Sequence, residues 1–312
     1  MGSFNYGAET QTLASESRML TVNIIGAGAV GQTLGYLLVK HRVAKIQAIF
    51  NQSQESSKNA IEFIGQGYAV SSVSDFPAAD LFLITVPDQK IAVLADELAV
   101  NAQVQAGTIM LHCSGALTSA CLSTLRARGC VVASLHPSFS FKNPQSSINQ
   151  FVNIPCALEG DSAVLETITN LFTSIGGQVF QIATEKKALY HAAAVFGSNY
   201  VITLLQEARD CFLDAGLAEQ QAKHVLDALL SSVVENVKQA SEPKLALTGP
   251  IQRADVMTIH HHLQALTHPL AREFYLFMAQ KTLSIAVLDE SDINRIEAAF
   301  TSPHVCDNNG LY

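Results

Sequence analysis

The sequence predicts an N-terminal α/β domain with a mostly parallel sheet, followed by an all-helical domain. Three observations carry this. Short apolar runs alternate with helical patterns from Met19 to Ile182, as βαβ units with strands buried on both faces require. Beyond Ile182 no strand pattern follows, while helical periodicity continues to Phe300. Hydrophobic residues make up 48% of the 312 residues and charged residues 15%, which supports a sizeable core and excludes disorder of the whole chain. The length suits two domains. The expected division is 1–18 as a flexible leader, 19–184 as the sheet domain and 185–312 as the helical domain.

Each element has its own signal. Strands are expected at Leu20–Ile25, Ile46–Phe50, Leu81–Val86, Thr108–His112, Val131–Leu135, Asn153–Glu159 and Gln178–Ile182. Helical patterns fall at Val30–Val39, Glu55–Ile64, Ile91–Leu98, Leu117–Arg128 and Ala163–Ile175. Glu185 to Ala215 contains no proline and reads as one helix of about 45 Å, stopped by Gly216. Val225, Leu229, Val233 and Val237 recur every four residues, the pattern of a core stripe. Pro269 suits the first turn of a helix reaching about Leu288. Ser291 suits the cap of a last helix, Asp292–Phe300. The tail from Pro303 reads as loose.

Charge and cysteine usage exclude several classes. Asp and Glu number 27 against 19 Lys and Arg, the wrong balance for a nucleic-acid or polybasic membrane-surface binder. The six cysteines, at 113, 121, 130, 156, 211 and 306, form no CxxC pair. They read as free thiols in a reducing cytoplasm. Met19–Val39 carries no charge, but Asn23, Gln32, Thr33 and four glycines make a membrane span a poor reading. His260-His261-His262 is not a metal site, because adjacent helical residues point about 100° apart. No metal is expected. Nucleophile elbow, P-loop and paired-carboxylate patterns are absent.

Gly26-Ala27-Gly28-Ala29-Val30-Gly31 fits GxGxxG between a strand and a helix, the fingerprint of a dinucleotide site. The first glycine permits the turn, the second admits a pyrophosphate and the third allows close helix packing. Free N–H groups at the helix start, from Ala29 and Val30 onward, favour phosphate. The second strand ends in Asn51-Gln52-Ser53 with no carboxylate. Such an end favours NADP over NAD, with NAD still possible, because nothing there repels a 2′-phosphate. Val86, Pro87 and Ser114 end later strands and are expected to border the cofactor. Ser114 reads either as a contact near the nicotinamide or substrate, or as an ordinary turn serine.

Several phrases together resemble one family: Ile24–Gly31, Ile84–Asp88, His112–Ala116, Ser134–Pro137, Tyr190–Ala193, Ser198–Tyr200 and Leu247–Pro250 with Arg253 and Asp255. The chain resembles, over about residues 19–300, bacterial NADP oxidoreductases that join a Rossmann-like domain to a helical C-terminal domain of unknown function. The resemblance implies kinship with 6-phosphogluconate dehydrogenase, pyrroline-5-carboxylate reductase and ketopantoate reductase. It thus implies hydride transfer with NADP or NAD, a substrate between the domains and a homodimer through the helical domain. It gives a reaction class and no reactant. Ala254 departs from the glycine expected after the arginine.

Hydride transfer to C=O or C=N needs a proton donor. Lys187, His191 and Ser198 share one helical face at spacings of 4 and 7. His191 is expected to be the proton donor or a substrate anchor, or else an interfacial histidine. Lys187 reads as catalytic or as a solvated flank. Asn199 lies about 80° round the helix and could orient a substrate oxygen or the carboxamide. His136 either enters the same cleft or holds the Ser138–Phe141 loop. Thr248 and Arg253 are candidate substrate contacts, the arginine as a carboxylate or phosphate clamp, with Asp255 or a second subunit as its alternative partners. The expected function is an NADP-preferring oxidoreductase of a small anionic molecule. The rival is a dinucleotide-responsive regulator without chemistry. A third reading is reduction of a deazaflavin.

Overall fold

The computed structural model describes residues 19–101 and 103–301. The expected leader, Cys306 and the tail from Pro303 lie outside the described residues. Among those described, the chain divides into two compact units, the first ending at Phe196 and the second starting at Gly197.

The first unit is built on eight strands: β1 (Leu20–Ile25), β2 (Ala44–Phe50), β3 (Tyr68–Ala69), β4 (Leu81–Ile84), β5 (Ile109–His112), β6 (Val131–Pro137), β7 (Ile154–Gly160) and β8 (Gly177–Gln181). Their order is β3-β2-β1-β4-β5-β6-β7-β8. All neighbours pair in parallel except β6 and β7. Its helices are α1 (Ala29–Lys40), α2 (Gln54–Ile64), α3 (Asp88–Ala99), α4 (Ser123–Ala127), α5 (Pro144–Gln150), α6 (Ser162–Ser174) and α7 (Lys187–Gly197).

Strand alternation splits the core into two layers. Ile24, Leu83, Leu111 and Leu135 face one layer. Ile25, Phe82, Met110 and Val132 face the other. Each such side chain contributes about 1.5–3 kcal/mol on full burial. This two-sided burial is why the strands read as continuous apolar runs.

Several expectations are corrected. β4 stops at Ile84; beyond it the Thr85 N–H still donates to the Ile25 carbonyl at 2.8 Å, and its hydroxyl donates to the Gly26 carbonyl at 2.6 Å. Residues 117–128 are a 3-10 turn (Ser119–Leu122) followed by the short α4, because Ser119 is held by Glu159 through both its N–H and its hydroxyl. β3 and α5 carried no expectation. Asn143 caps α5 and Pro144 opens it, a start signal present in the sequence. The long helix is broken at Ser198, whose φ of −133° and ψ of −74° separate α7 from α8 (Asn199–Asp214). Gly216, at φ 91°, does end α8.

The second unit continues with α9 (Glu219–Gln239), α10 (Val256–Ala265), α11 (Pro269–Leu283) and α12 (Glu290–Thr301). Its core gathers Ile251, Ile259, Leu263, Ala279, Leu283 and Ile296. The stripe on α9 is not core: Leu229 is 52% and Val233 57% exposed. Helical spacing reports an apolar face and does not report what covers it. α11 ends at Leu283 rather than Leu288. Asp289, rather than Ser291, accepts from the first turn of α12, bonding Asp292 N–H at 2.8 Å.

Candidate functional site

The glycine turn is built as its spacing predicts. Gly26 sits at φ 85°, a left-handed conformation that favours glycine, and a Cβ there would strike Val86. Its N–H donates to the Phe50 carbonyl at 2.8 Å, tying β1 to β2. A Cβ on Gly31 would lie 2.5 Å from Thr85 Oγ1 and 2.9 Å from the Gly26 carbonyl, so this glycine lets α1 pack on the turn. Gly28 differs: a Cβ there would meet nothing within 4 Å. It is the N-cap of α1, and no side chain caps that helix. The first-turn N–H groups at Ala29, Val30 and Gly31 thus have no side-chain cap beside this open N-cap, the setting that suits an anion. These residues fit a dinucleotide pyrophosphate.

At the end of β2, Ser53 caps α2 by accepting from Ser56 N–H at 3.1 Å and donates to Ser56 Oγ at 2.8 Å. The Asn51 N–H donates to Ser57 Oγ at 3.2 Å, while the Asn51 side-chain amide nitrogen is buried with no hydrogen-bond partner. Gln52 is exposed. The first acid along the chain after β2 is Glu55, in the first turn of α2.

Past β4, Val86 packs against Gly26 and exposed Pro87 is the N-cap of α3. The Ser114 hydroxyl donates to Asp88 Oδ2 at 2.8 Å and accepts from the N–H groups of Ala116 and Leu117, at 3.2 and 2.9 Å. It thus clamps its own turn to the start of α3. The Ser114 N–H donates to His112 Nδ1 at 3.2 Å. His112 is buried, and its ring is held neutral, with a pKa lowered to about 4. Burial is the main cause and the Lys187 charge adds to it, against the Thr118 carbonyl, Glu159 and Asp88. Burial pushes the neighbouring Cys113 thiol up to about 12, which makes it inert.

A polar centre lies under these strand ends. Lys187 is fully buried, donates to Ser134 Oγ and pairs with Glu159 at 3.4 Å. Glu159 also accepts from Ser119 N–H and Oγ, both at 2.8 Å, and from Thr184 Oγ1 at 3.1 Å. Burial lowers the lysine pKa, and Glu159 opposes that shift. The reading of Lys187 as a solvated flank is corrected: the exposed lysine is Lys186.

One turn along α7, His191 packs on Gly115. A Cβ on Gly115 would lie 2.8 Å from His191 Nε2 and 2.9 Å from His136 Nε2. The two imidazoles meet edge to face, with centroids 5.6 Å apart. His136 also meets Tyr190 edge to face at 5.9 Å, and Tyr190 bonds Ser138 through their hydroxyls. Burial first, then His191 and Lys187, lower the His136 pKa to about 4, while Asp88 raises it. Its Nδ1 is buried with no hydrogen-bond partner.

The first unit thus brings together the glycine turn, Val86, Ser114, His136, Lys187 and His191. Ser198, Asn199, Thr248 and Arg253 belong to the second unit. Ser198 Oγ donates to Asn199 Oδ1 at 3.0 Å. Thr248 and Arg253 are exposed. Asp255 caps α10, accepting from Thr258 N–H and Oγ1 at 3.1 and 2.7 Å. Ala254, where glycine was expected, has φ 51°, the left-handed region that glycine suits. His262 Nδ1 lies 2.9 Å from the Tyr275 hydroxyl. Sequence reasoning missed Asp88, His112, Ser134 and Glu159. The last carried a signal, a carboxylate inside an apolar strand.

Residues 7–137 match the family described as Rossmann-like domain. Residues 154–282 match the family described as domain of unknown function (DUF2520). No curated protein matches the chain. Among solved structures it resembles protein TM1727 from Thermotoga maritima, at 26% identity and a TM-score of 0.68, over 85% of this chain and 98% of that one. It also resembles the candidate NADP oxidoreductase BF3122 from Bacteroides fragilis, at 19% identity and 0.70, with the same coverages. An imine reductase from Myxococcus stipitatus, solved with NADP+, shares the fold at 13% identity and 0.60, over 89% and 99%.

Proposed function

We propose that this chain, which joins a Rossmann-like domain to a DUF2520 domain, is an NADP-dependent oxidoreductase acting on the C=O or C=N bond of a small anionic molecule. The observation that carries this reading is the open space at Gly28 over the uncapped start of α1. Bound there, the nicotinamide dinucleotide would supply or accept the hydride. Asn51, Gln52 and Ser53 present polar groups and no carboxylate at the end of β2, which favours a 2′-phosphate over a bare ribose. The Myxococcus protein's complex with NADP+ is consistent with that choice.

In this reading His191 gives or takes the proton at the reacting atom. Its ring rests on Gly115, next to the Ser114 turn that borders the cofactor. His136 stays neutral beside it and anchors a substrate oxygen. Ser114 serves by shaping the turn, since its hydroxyl is engaged with Asp88. Ser198, Asn199, Thr248 and Arg253 are proposed as substrate contacts from the second unit.

The protein is further proposed to act as a cytoplasmic homodimer through the helical unit. Leu229, Leu230, Val233, Val234 and Val237 expose one apolar stretch of α9, and contiguous exposed apolar surface of this kind marks an interface. The run Thr184–Asp214 is also long and apolar enough, by length and composition, to cross a membrane. Light scattering with and without vesicles separates a second copy from a bilayer as the occupant.

The test is NADPH oxidation followed at 340 nm over a panel of carbonyl and imine acids. Turnover in the native protein, lost in His191→Ala with NADPH binding retained, supports catalysis. Binding of NADPH with no turnover on any member, and a protein captured only by the NADPH-bound form, supports the regulator reading instead.

A further inference from the structure

The spacing of Lys187 and His191 puts both on one face of α7, and a lysine one turn from a candidate proton donor invites the role of acid or base. The geometry points elsewhere. We infer that Lys187 is a positioning residue: sealed beneath the strand ends, it ties the start of α7 to β6 and β7 and thereby holds His191 against Gly115. The inference rests on the proposed role of His191 and adds to it.

Four observations support it. Lys187 is fully buried, and so is the carboxylate of Glu159 that pairs with it. Its ammonium donates to Ser134 Oγ, on the residue that faces Glu159 across the β6–β7 ladder. One cation therefore pins both strands at one register position. The Ser134 hydroxyl in turn lies 3.4 Å from the Ser114 carbonyl and from His112 Nδ1, so the same cluster fixes the residue preceding Gly115. Finally, Gly115 has no room for a side chain beneath His191 and His136. The contact of His191 with this turn thus depends on where α7 begins, and Lys187 is the first residue of α7.

A lysine spent in this way offers no face to a substrate. An ammonium whose neighbours are a serine hydroxyl and a carboxylate is a structural cation. A proton donor must come within hydrogen-bond reach of the reacting atom.

The test uses the full chain and has three arms. In the first, the folded protein is treated with formaldehyde and dimethylamine-borane, and methylation is read by mass spectrometry. Exposed Lys186 is the internal control in the same peptide. Lys187 is expected to react at least tenfold more slowly than Lys186, with or without NADPH, and to react fully after denaturation. Equal rates, or protection of Lys187 only by NADPH, would place its ammonium in the open site and overturn the inference. In the second arm, histidine-labelled protein is compared with Lys187→Met/Glu159→Gln, which removes both charges of the pair. The ring signals of His191 and the amide signal of Gly115 are expected to shift in the folded double variant. Unchanged His191 signals would refute the positioning role. Should the double variant fail to fold, the methylation arm still decides. The third arm is an NADPH titration of the native chain. Absence of binding there undoes the proposed function and leaves the other two readouts standing on their own.

Discussion

Acidification should destabilise this protein through His112, and the size of the effect follows from its surroundings. The imidazole is buried, and burial first, then the Lys187 charge, lower its pKa from 6.5 to about 4. The unfolded chain binds that proton at the ordinary value, so between pH 6.5 and 4 it holds more protons than the folded chain. Stability therefore falls as pH falls, beginning below about 6.5 and levelling near 4. At about 1.4 kcal/mol per unit, the whole shift is worth about 3 kcal/mol, of which about 2 kcal/mol is lost between pH 7 and pH 5. His136 adds a smaller loss of the same sign, because it is only half buried and partly screened. The assay is urea unfolding at pH 7, 6 and 5, repeated on His112→Gln, which cannot take up a proton. The native protein should lose about 2 kcal/mol more than the variant over this range. Parallel curves, or a His112 ring that titrates near 6.5 in the folded protein, would refute the reasoning.

Other consequences are equally direct. Lys187→Met leaves Glu159 unpaired in the interior and should cost about 3–5 kcal/mol in urea unfolding, with Lys187→Met/Glu159→Gln recovering most of it; a single-variant loss under about 1 kcal/mol would contradict the buried pair. Gly28→Ala should fold with native stability, since a Cβ there meets nothing within 4 Å, yet weaken NADPH binding by about tenfold, or 1.4 kcal/mol, in calorimetry. Gly31→Ala should lose about 1–3 kcal/mol of stability as its Cβ crowds Thr85 and the Gly26 carbonyl, which thermal unfolding reads. Leu229→Glu with Val233→Glu should convert a dimer to a monomer in light scattering without loss of helical signal.

The parts of this molecule that could be read from its sequence are those written by local backbone demands. A turn at φ 85° leaves a glycine at 26, and a helix packed tightly on that turn leaves one at 31. Two-sided burial leaves unbroken apolar runs such as Leu81–Ile84. What could not be read depends on partners distant along the chain. Lys187 looks like a surface residue beside Glu185 and Lys186, because Ser134 and Glu159 lie 53 and 28 positions away. The Thr85 hydroxyl bonds the Gly26 carbonyl from 59 positions away, a tie that no periodicity reports. The stripe on α9 reads as core from its spacing yet is exposed, since helical spacing reports an apolar face and not what covers it. Within the site, the histidine on α7 was visible from spacing, whereas its seat on Gly115 beside His136 emerged only in three dimensions.

The account stands most directly on calorimetric titration of the purified chain with NADPH and, separately, NADH. It predicts saturable one-to-one binding of NADPH, weaker binding of NADH, and about tenfold weaker NADPH binding in Gly28→Ala while the variant stays folded. If the native chain takes up neither nucleotide, or if Gly28→Ala binds as tightly as the native protein, the phosphate-binding role of the α1 start is wrong.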